Sequence, residues 1–333
     1  MHKIKKLHLP KGISVVIPNY NGRQLLPQIL PPLYEALQNA GLDYEVIISD
    51  DASTDASISY IQADHPAIKL IENPVNRGFA PTANAGIFAS TYSYTLLLNS
   101  DVKLTANYFK FLIPYFDKDD CFGVMGRIVG WDDDKIQDGG KYPYFHGVKI
   151  KTSGNYIPLQ DDEGPYYSMY LSGANALMNT AILQLLGGFN ELFAPYYVED
   201  YELSLRAWRK GYVCYYEHRA VCRHKTSVTI KSSSKKEKVK IIYNRNKMFL
   251  HAIHLPASKL IVWKLQLGLE AFIHICFGKL FYIKALLAFM GKRKQVAKSR
   301  TLLKNNSAKR LLTLQEVAQK VNAQISSHAI QKW

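Results

Sequence analysis

The sequence predicts an α/β protein in which a mostly parallel sheet is flanked by helices. Over the first hundred residues, short apolar runs, polar loops and helical segments repeat roughly every 25 residues, the pattern of βαβ units. Polar residues follow these apolar runs, and open α/β sheets bind ligands at the carboxyl ends of their strands. The chain has 333 residues, of which 47% are hydrophobic and 21% charged, so it can bury a sizeable core.

The predicted strands of the first half are short runs rich in Ile, Val and Leu. They cover residues 13–17, 44–49, 68–71 and 95–98. Helices are expected between them, and the first should be kinked or broken because it contains Pro27, Pro31 and Pro32. The periodicity fails from residue 130 to 170, which predicts an irregular, tyrosine-rich insertion that either covers an acceptor or is a solvated loop.

The second half combines short strands with long helices. Residues 199–210 read as a helix that ends at Gly211, residues 212–216 and 221–224 as two strands, and residues 232–240 as a polar, basic loop. Residues 241–290 are helical in pattern, but charged residues interrupt them and no apolar run reaches the 18 residues expected of a membrane-spanning helix.

The helix at 199–210 carries the strongest catalytic signal. Its spacing puts Asp200 on the same face as Leu203 and Ala207, so a carboxylate at the helix start points inward. Such a group is suited to act as a general base that takes a proton from a hydroxyl. The alternative is that the acidic residues only favour the positive end of the helix, with Glu202 and Arg206 forming a surface pair.

Acidic residues also collect where the predicted strands end. Taken singly, each is a normal turn or cap residue, but together at one sheet edge they suit Mg²⁺ or Mn²⁺ holding a phosphorylated substrate. No glycine-rich phosphate loop follows any strand, which disfavours dinucleotide-binding and P-loop proteins. These acidic residues are Asp50, Asp51, Asp55 and Asp101.

The net charge of +15 lies in the C-terminal part of the chain. From Arg223 onward there are 23 Lys and Arg against three Glu, whereas residues 1–222 hold 19 basic and 24 acidic residues. A basic tail suits an anionic surface, either nucleic acid or a membrane, and its apolar helices are a poor match to a solvated nucleic-acid-binding arm. We therefore expect amphipathic helices on an anionic membrane, flanked by the basic cluster at 292–300, and no nucleic acid; packing into the core or a homodimer is the alternative.

Six motifs in order resemble those of the inverting family 2 glycosyltransferases of GT-A fold, most closely a rhamnosyltransferase-like bacterial branch. The resemblance covers roughly residues 12–250, which we take as the catalytic domain, with 251–333 as a basic amphipathic helical tail. The motifs are Pro18-Asn-Tyr-Asn21, Asp50-Asp-Ala-Ser-Thr-Asp55, Asn76-Arg-Gly-Phe-Ala80, Leu98-Asn-Ser-Asp101, Gly187-Gly-Phe189 and Glu199-Asp200 through Arg206.

This resemblance implies a role for each matching residue. Asp200 looks like the base, with Glu199 beside it, and Asp101 and His224 look like the ligands of Mn²⁺ or Mg²⁺ at the diphosphate. A nucleoside-diphosphate sugar, UDP- or dTDP-linked, is the implied donor, and Asp50 is expected to meet its base. The residues expected to bind the donor are Pro18, Tyr20, Asn21, Asp50, Arg77, Gly78, Asn99, Asp101 and Arg245.

One departure from the family pattern affects the metal. The first acid of the usual DxD motif is Asn99 here, and a neutral amide leaves a cation with less negative charge. The expected function is transfer of a hexosyl or rhamnosyl group to a glycan or lipid-linked acceptor during bacterial cell-surface polysaccharide or glycolipid synthesis. Alternatives are an inactive nucleotide-sugar-binding relative or a basic nucleic-acid-binding protein.

The expected location is the cytoplasm, peripherally on the inner face of the cell membrane. The four cysteines form no CxxC pair, which favours a reducing compartment, and the first ten residues lack an apolar core of signal-peptide length.

Overall fold

A computed structural model describes residues 9–159, 164–225, 233–305 and 310–333. The strands of its first half are β1 (Ile13–Asn19), β2 (Tyr44–Asp50), β3 (Lys69–Glu72), β4 (Tyr94–Leu98), β5 (Val102–Leu104), β6 (Cys121–Gly130), β7 (Ile136–Asp138), β8 (Gly140–His146) and β9 (Lys149–Pro158). The remaining strands are β10 (Tyr166–Tyr167), β11 (Asn175–Asn179), β12 (Val213–His224) and β13 (Ile330–Lys332).

Helices cover both the sheet and the C-terminal region. They are α1 (Leu26–Ala40), α2 (Ser57–Asp64), α3 (Phe79–Ala89), α4 (Tyr108–Leu112), α5 (Thr180–Leu185), α6 (Glu199–Arg209), α7 (Ser233–His254), α8 (Ala257–Cys276), α9 (Phe281–Gly291), α10 (Arg293–Asn305) and α11 (Leu314–Ser326). Two short 3₁₀ helices cover Ile113–Asp117 and Glu191–Phe193.

The central sheet has the strand order β10-β12-β6-β11-β4-β1-β2-β3, with β5 and β7 added at β12 and β6. The pairs β1–β2, β1–β4, β2–β3 and β6–β12 are parallel, and β11 lies antiparallel between β4 and β6. Ile13, Val15, Val16 and Ile17 of β1 are fully buried, as expected for a strand covered on both faces. The predicted fold class is therefore confirmed.

The first helix differs from the sequence prediction. Pro31 and Pro32 lie inside α1, which is one unbroken helix, and Pro27 occupies its first turn, where a missing N–H is tolerated. Ile29, Leu30 and Leu33 are fully buried against the sheet. Their packing supplies the stability that proline removes from a helix interior.

The insertion at 130–170 is not irregular, contrary to prediction. Strands β8 and β9 form an antiparallel hairpin, and β13 from the C-terminus pairs with β9 to complete a second, three-stranded sheet. Tyr156 of β9 is fully buried between this sheet and the central one, where its ring lies 5.7 Å from that of Tyr216. The tyrosines that suggested a solvated loop are in part core residues.

The C-terminal part also differs in detail. Residues 212–224 hold one long strand, β12, whose register shifts between Glu217 and Val221, rather than two strands. From Ser233 onward the predicted basic loop is the start of α7; Ser232 lies outside the described residues. The proposed domain boundary at residue 250 falls within α7, and β13 shows that the tail is not helical throughout. Among the described residues, no helix has the length and apolarity needed to cross a membrane.

Candidate active site

Asp50 is the last residue of β2, and its side chain orders the loop that follows. Its carboxylate is fully buried and accepts hydrogen bonds from Asn19 Nδ2 at 2.8 Å, Ser53 N at 2.8 Å and Ser53 Oγ at 2.7 Å. Asn19 is the register partner of Asp50 in the β1–β2 pair. The structure therefore gives Asp50 a role in joining the ends of the first two strands, beside the binding role predicted for it.

Asn21 joins the same two loops. Its side-chain Oδ1 accepts from Thr54 N at 2.8 Å, and its own N–H donates to Ser53 Oγ at 2.8 Å. Asn21 adopts a φ of 54°, a left-handed conformation that asparagine tolerates better than most residues. Next to it, Tyr20 is 52% exposed at the carboxyl end of β1, and Pro18 lies within that strand. The Tyr20 ring is thus accessible to a planar ligand at this edge.

Asp51, predicted only as one of several strand-end acids suited to a cation, fixes a turn of the site. Its carboxylate accepts from the backbone N–H groups of Arg77 and Gly78, each at 2.8 Å, and from Asn73 Nδ2 at 3.0 Å. Asp51 therefore fixes the turn that begins α3. The Arg77 guanidinium is not committed to this network, because it forms an exposed ion pair with Glu191 at 3.1 Å.

Asp101 and His224 meet at the neighbouring strand end. The distance between His224 Nε2 and Asp101 Oδ2 is 3.5 Å, and His224 Nδ1 lies 2.8 Å from Gln137 Oε1. The hydrogen bond to Asp101 raises the pKa of His224, although burial opposes this. Because Gln137 Oε1 can only accept a hydrogen bond, Nδ1 is the donor in this contact, so loss of the other proton would free Nε2, which faces Asp101, to bind a cation.

This pair fits a divalent cation. Asp101 Oδ1 is buried without a hydrogen-bond partner among the described residues, and a carboxylate facing an imidazole lone pair is stabilised when a cation lies between them. The described residues contain no group of three or more His, Cys, Asp or Glu that could hold a metal. A cation here would thus be bound through Asp101 and His224, and other oxygen ligands would complete its coordination.

Asn99 connects this strand end to the predicted base. Its N–H donates to Ala174 O at 3.1 Å, and the residue before Ala174, Gly173, donates its N–H to the Asp200 carboxylate. The segment before β11 therefore brings the Asn99–Asp101 strand end next to α6. The structure does not assign a contact to the Asn99 side chain among the described residues.

Asp200 and Glu199 lie at the start of α6, as predicted. Asp200 Oδ1 accepts from Tyr201 N at 2.7 Å, whereas Glu199 Oε2 is buried without a partner in the described chain. Burial, and then the charge of Asp200, raise the pKa of Glu199 to about 8. Burial also raises the pKa of Asp200, against the stabilising N–H groups of Tyr201 and Gly173. Glu199 is therefore the member of the pair that keeps its proton to the higher pH, because the charge of Asp200 adds to the effect of burial on its pKa.

The loop before α6 has a strained backbone and is held in place by a side chain of α7. Tyr197 and Val198 have φ values of 75° and 74°, which are unfavourable for residues with a Cβ and most of all for valine. Asn246 Nδ2 lies within 3.0 Å of the carbonyl oxygens of Phe193, Tyr196 and Tyr197. A strained backbone persists only where surrounding contacts hold it, and here the hydrogen bonds from Asn246 do so. Asn246 therefore positions the Glu199–Asp200 pair, which follows this loop.

Arg245 takes part in the same clamp. Its guanidinium donates to Ala194 O at 2.6 Å and to Asn246 Oδ1 at 2.8 Å. Burial lowers the pKa of Arg245. The contacts of Arg245 are thus with the loop before α6, and its predicted contact with the diphosphate stays a prediction.

Glu202 and Arg206 do not form a surface pair. Glu202 is buried, and its carboxylate binds Arg206 at 2.9 Å and His254 Nε2 at 3.2 Å. Burial alone would raise the pKa of Glu202, but Arg206 and His254 together bring it below its usual value. Arg206 also donates to the carbonyl oxygens of Leu186 and Gly188. Sequence spacing identified the i, i+4 pair but not its burial, which depends on α7.

The fold and these contacts define a class of protein: an α/β protein with polar residues at the carboxyl edge of its parallel strands, where open α/β sheets bind ligands, beside a pair of buried carboxyl groups. Residues 14–187, more than half of the chain, match the family model described as "Glycosyl transferase family 2". The chain belongs to this family. A rhamnosyltransferase branch is not distinguished by the match.

Curated relatives share sequence with part of the chain. Chondroitin synthase of Pasteurella multocida (strain Pm70) is 30% identical over 154 residues, covering 44% of this chain and 15% of the relative. Undecaprenyl-phosphate 4-deoxy-4-formamido-L-arabinose transferase of Enterobacter sp. (strain 638) is 30% identical over 107 residues, covering 31% and 32%. The chain thus matches a third or less of the length of these two relatives.

Solved structures share the fold over nearly the whole chain. A structure of GalNAc-T7 with UDP, GalNAc and Mn²⁺ has a TM-score of 0.62 at 15% identity, covering 97% of this chain and 58% of that one. The mannosyltransferase PcManGT from Pyrobaculum calidifontis, with GDP-Man and Mn²⁺, has a TM-score of 0.52 at 16% identity, covering 96% and 85%. At these identities the likeness concerns the fold.

Proposed function

We propose that the protein is an inverting glycosyltransferase that moves a sugar from a nucleoside diphosphate to an acceptor hydroxyl. Asp200 takes the hydroxyl proton, the acceptor oxygen forms a bond to the anomeric carbon, and the nucleoside diphosphate leaves from the opposite face. The observation that carries this proposal is the position of Asp200, a carboxylate that Gly173 and Tyr201 hold next to the Asn99–Asp101 strand end.

The donor is proposed to lie along the edge formed by the ends of β1, β2 and β4. The exposed Tyr20 ring supports placement of a nucleotide base there, and the fixed turn at Arg77–Gly78 and the Asp101–His224 pair support placement of the diphosphate. A divalent cation bound through Asp101 and His224 would offset the charge of the leaving diphosphate. UDP- or dTDP-sugars are the donors to test first.

The acceptor is proposed to be a glycan or lipid-linked sugar in bacterial cell-surface polysaccharide or glycolipid synthesis, reached from a membrane surface. The observation in favour is the outer face of α8 and α9, where Ile261 and Leu265 are each 70% exposed and Phe272 is 64% exposed. Basic residues of α10 lie beside this face in sequence. Apolar side chains flanked by cations suit the interface of an anionic bilayer.

Donor turnover by an Asp200 variant tests the proposal. A thermal-shift screen over UDP- and dTDP-sugars first identifies the donor, because a ligand that binds only the native state raises the melting temperature. Asp200→Asn should still bind that donor, while transfer to water or an added glycoside falls by about two to four orders of magnitude. Asp64→Asn, at the exposed end of α2, is the matched control.

Two results would contradict the proposal. Near-normal turnover by Asp200→Asn would remove Asp200 as the base, and a first-formed product that keeps the donor's anomeric configuration by NMR would exclude inversion. Wild-type protein that binds a nucleotide sugar without turning it over would favour an inactive relative. Retention on a nucleic-acid column at moderate salt, without any nucleotide-sugar binding, would favour a basic nucleic-acid-binding protein instead.

A further inference from the structure

A cavity of about 190 Å³ opens beside the predicted base. Glu199 and Asp200 form one wall, residues 150–152 of β9 a second, and α7 a third. At ~30 Å³ for each water molecule, the cavity has space for about six waters. It is therefore suited to a single sugar unit, and Asp200 is among the residues that line it.

Tyrosine rings form much of the lining. Tyr197 and Tyr243 meet edge to face with their ring centroids 6.0 Å apart, and Tyr170 and Tyr201 are tilted at 5.4 Å. Tyrosine combines an apolar ring face with a hydroxyl that forms hydrogen bonds. Both surfaces match a sugar ring, which presents C–H groups on its faces and hydroxyl groups around its edge.

Two lysines give the cavity its charge. Lys151 and Lys247 both line it and are partly buried, and neither forms an ion pair within the part of the chain that the structure describes. Lys247 Nζ lies 4.0 Å from the centroid of the Tyr243 ring. By contrast, the neighbouring Lys149 is paired with Glu270 of α8. Partly buried cations without a counter-ion are costly, so the cavity favours an anion.

The other titratable groups of the cavity do not cancel this charge. Burial lowers the pKa of His251 to about 4, so its ring is neutral near pH 7. Glu199 retains its proton at that pH because its pKa is raised to about 8 by burial and by Asp200. Among the lining residues, Asp200 is then the group left to carry a negative charge, against the two lysines.

We infer that this cavity binds the terminal sugar of an acceptor bearing an anionic group, a phosphate or a carboxylate, which Lys151 and Lys247 hold while the reacting hydroxyl faces Asp200. The inference rests on the proposed glycosyl transfer and specifies its acceptor class. Two sources supply such a group: an acidic glycan, or a lipid-linked sugar diphosphate. The second source fits the position of the cavity. The contacts Lys149–Glu270 and His146–Gln266 join the β8–β9 hairpin, which lines the cavity, to α8, whose outer face is proposed to meet the membrane.

Matched acceptor pairs test the inference with UDP-sugar donor held at saturation. Each pair has the same sugar with and without charge: alkyl glucuronide against alkyl glucoside, N-acetylglucosamine 6-phosphate against N-acetylglucosamine, and decyl-diphospho-N-acetylglucosamine against decyl N-acetylglucosaminide. The KM for transfer should be about tenfold or more lower for the charged member of at least one pair, as expected for charge-assisted hydrogen bonds. The pair that shows it identifies the source.

Lysine variants then locate the effect. Lys151→Gln/Lys247→Gln should remove most of the preference for the charged member, whereas Lys151→Arg/Lys247→Arg should retain it. Lys110→Gln, an exposed lysine of α4, is the matched control. Equal KM values within every pair, or a preference that survives in the glutamine double variant, would overturn the inference. Donor hydrolysis is measured in the same samples; its absence in wild type would instead contradict the proposed transferase activity.

Discussion

Gly78 lies directly against Pro195, so the turn that Asp51 fixes is packed on the loop that leads to Asp200. The distance from an added Cβ on Gly78 to Pro195 Cα would be only 2.6 Å. Phe79 N also donates to Pro195 O at 2.8 Å. The proposed donor-binding turn at Gly78 and the loop before the Glu199–Asp200 pair are therefore in direct backbone contact. A substitution in one should alter the position of the other.

Gly78→Ala should lower both stability and transfer. Gly78 has a φ of 86°, and alanine would add a clash with Pro195 to the backbone strain, at a cost of about 1–3 kcal/mol. Gly211→Ala is the control, because its φ is 92° but no atom lies within 4 Å of an added Cβ. The measurements are urea unfolding and donor turnover. Equal losses in the two variants would show that the contact with Pro195 is unimportant.

Glu199→Gln should stabilise the protein increasingly as the pH rises. In wild type, Glu199 keeps its proton in the folded state up to about pH 8, while the unfolded chain releases it above the ordinary glutamate pKa of 4.5. The folded state therefore binds more protons between these values, and wild-type stability falls as pH increases through that window. Glutamine has no proton to release, so the variant does not share this loss.

The check is thermal unfolding of both proteins at pH 5, 7 and 8.5. One pKa unit corresponds to ~1.4 kcal/mol, and ~1 kcal/mol shifts Tm by about 2–4 °C in proteins of moderate size. The Tm of Glu199→Gln relative to wild type should rise by at least ~3 °C across the series. Glu35→Gln, an exposed position on α1, is the control. A Tm difference that is constant or shrinks with pH would show that Glu199 is not held protonated.

Metal use should depend on Asp101 and His224. Mn²⁺ is expected to strengthen UDP binding by wild-type protein, and Asp101→Asn or His224→Gln should reduce that gain about 10- to 100-fold, as measured by calorimetry with and without Mn²⁺. Gln137→Leu, which removes the partner of His224 Nδ1, should reduce the Mn²⁺-dependent gain in UDP affinity less. Asn99→Asp should increase the gain, because it adds a carboxylate. Equal UDP affinity with and without Mn²⁺ in wild type would exclude a role for the metal.

Sequence patterns predicted the elements whose signals are local. The strand ends and α6 followed from short-range periodicity, and Leu203 and Ala207 are buried on the face that was expected. The β8–β9 hairpin is itself local, since His146 pairs with Lys149, but the third strand of its sheet, β13, pairs Ile330 with Pro158 and so comes from the far end of the chain. Pairing between segments so distant in sequence has no local periodic signature.

Two site features also required three-dimensional information. Asp50 and Asp51 are adjacent, and the sequence pattern marks both as strand-end acids suited to a cation. Only the structure shows that Asp51 holds the Arg77–Gly78 turn. The polar residue Asn246 lies on a helix that sequence alone does not orient, yet it clamps the loop before α6. Buried polar side chains that serve another segment are identified through their partners, which a linear pattern does not contain.

The outer face of α8 and α9 provides the basis for the last prediction. Trp263, Leu267 and Ala271 of α8 are buried, whereas Ile261, Leu265 and Phe272 point away from the protein and are 64–70% exposed. Phe277, just after α8, is 72% exposed. This contiguous apolar surface, which we call the α8 face, is followed along the chain by the exposed Lys292–Arg293–Lys294 cluster. Contiguous exposed apolar surface of this kind marks an interaction site.

The protein should sediment with vesicles containing phosphatidylglycerol at low salt and be released as ionic strength rises, because each Lys or Arg near an anionic leaflet contributes ~1 kcal/mol and is screened by salt. Replacing Lys292, Arg293 and Lys294 with Gln should weaken binding by about two orders of magnitude. Ile261→Ser/Leu265→Ser/Phe272→Ser should abolish binding, whereas Leu185→Ser, at an exposed leucine of α5, should not change it. These positions are exposed, so the variants should keep the wild-type Tm. No vesicle binding by a preparation that turns over donor would assign the α8 face to a second copy of the chain, which analytical ultracentrifugation would detect as a dimer.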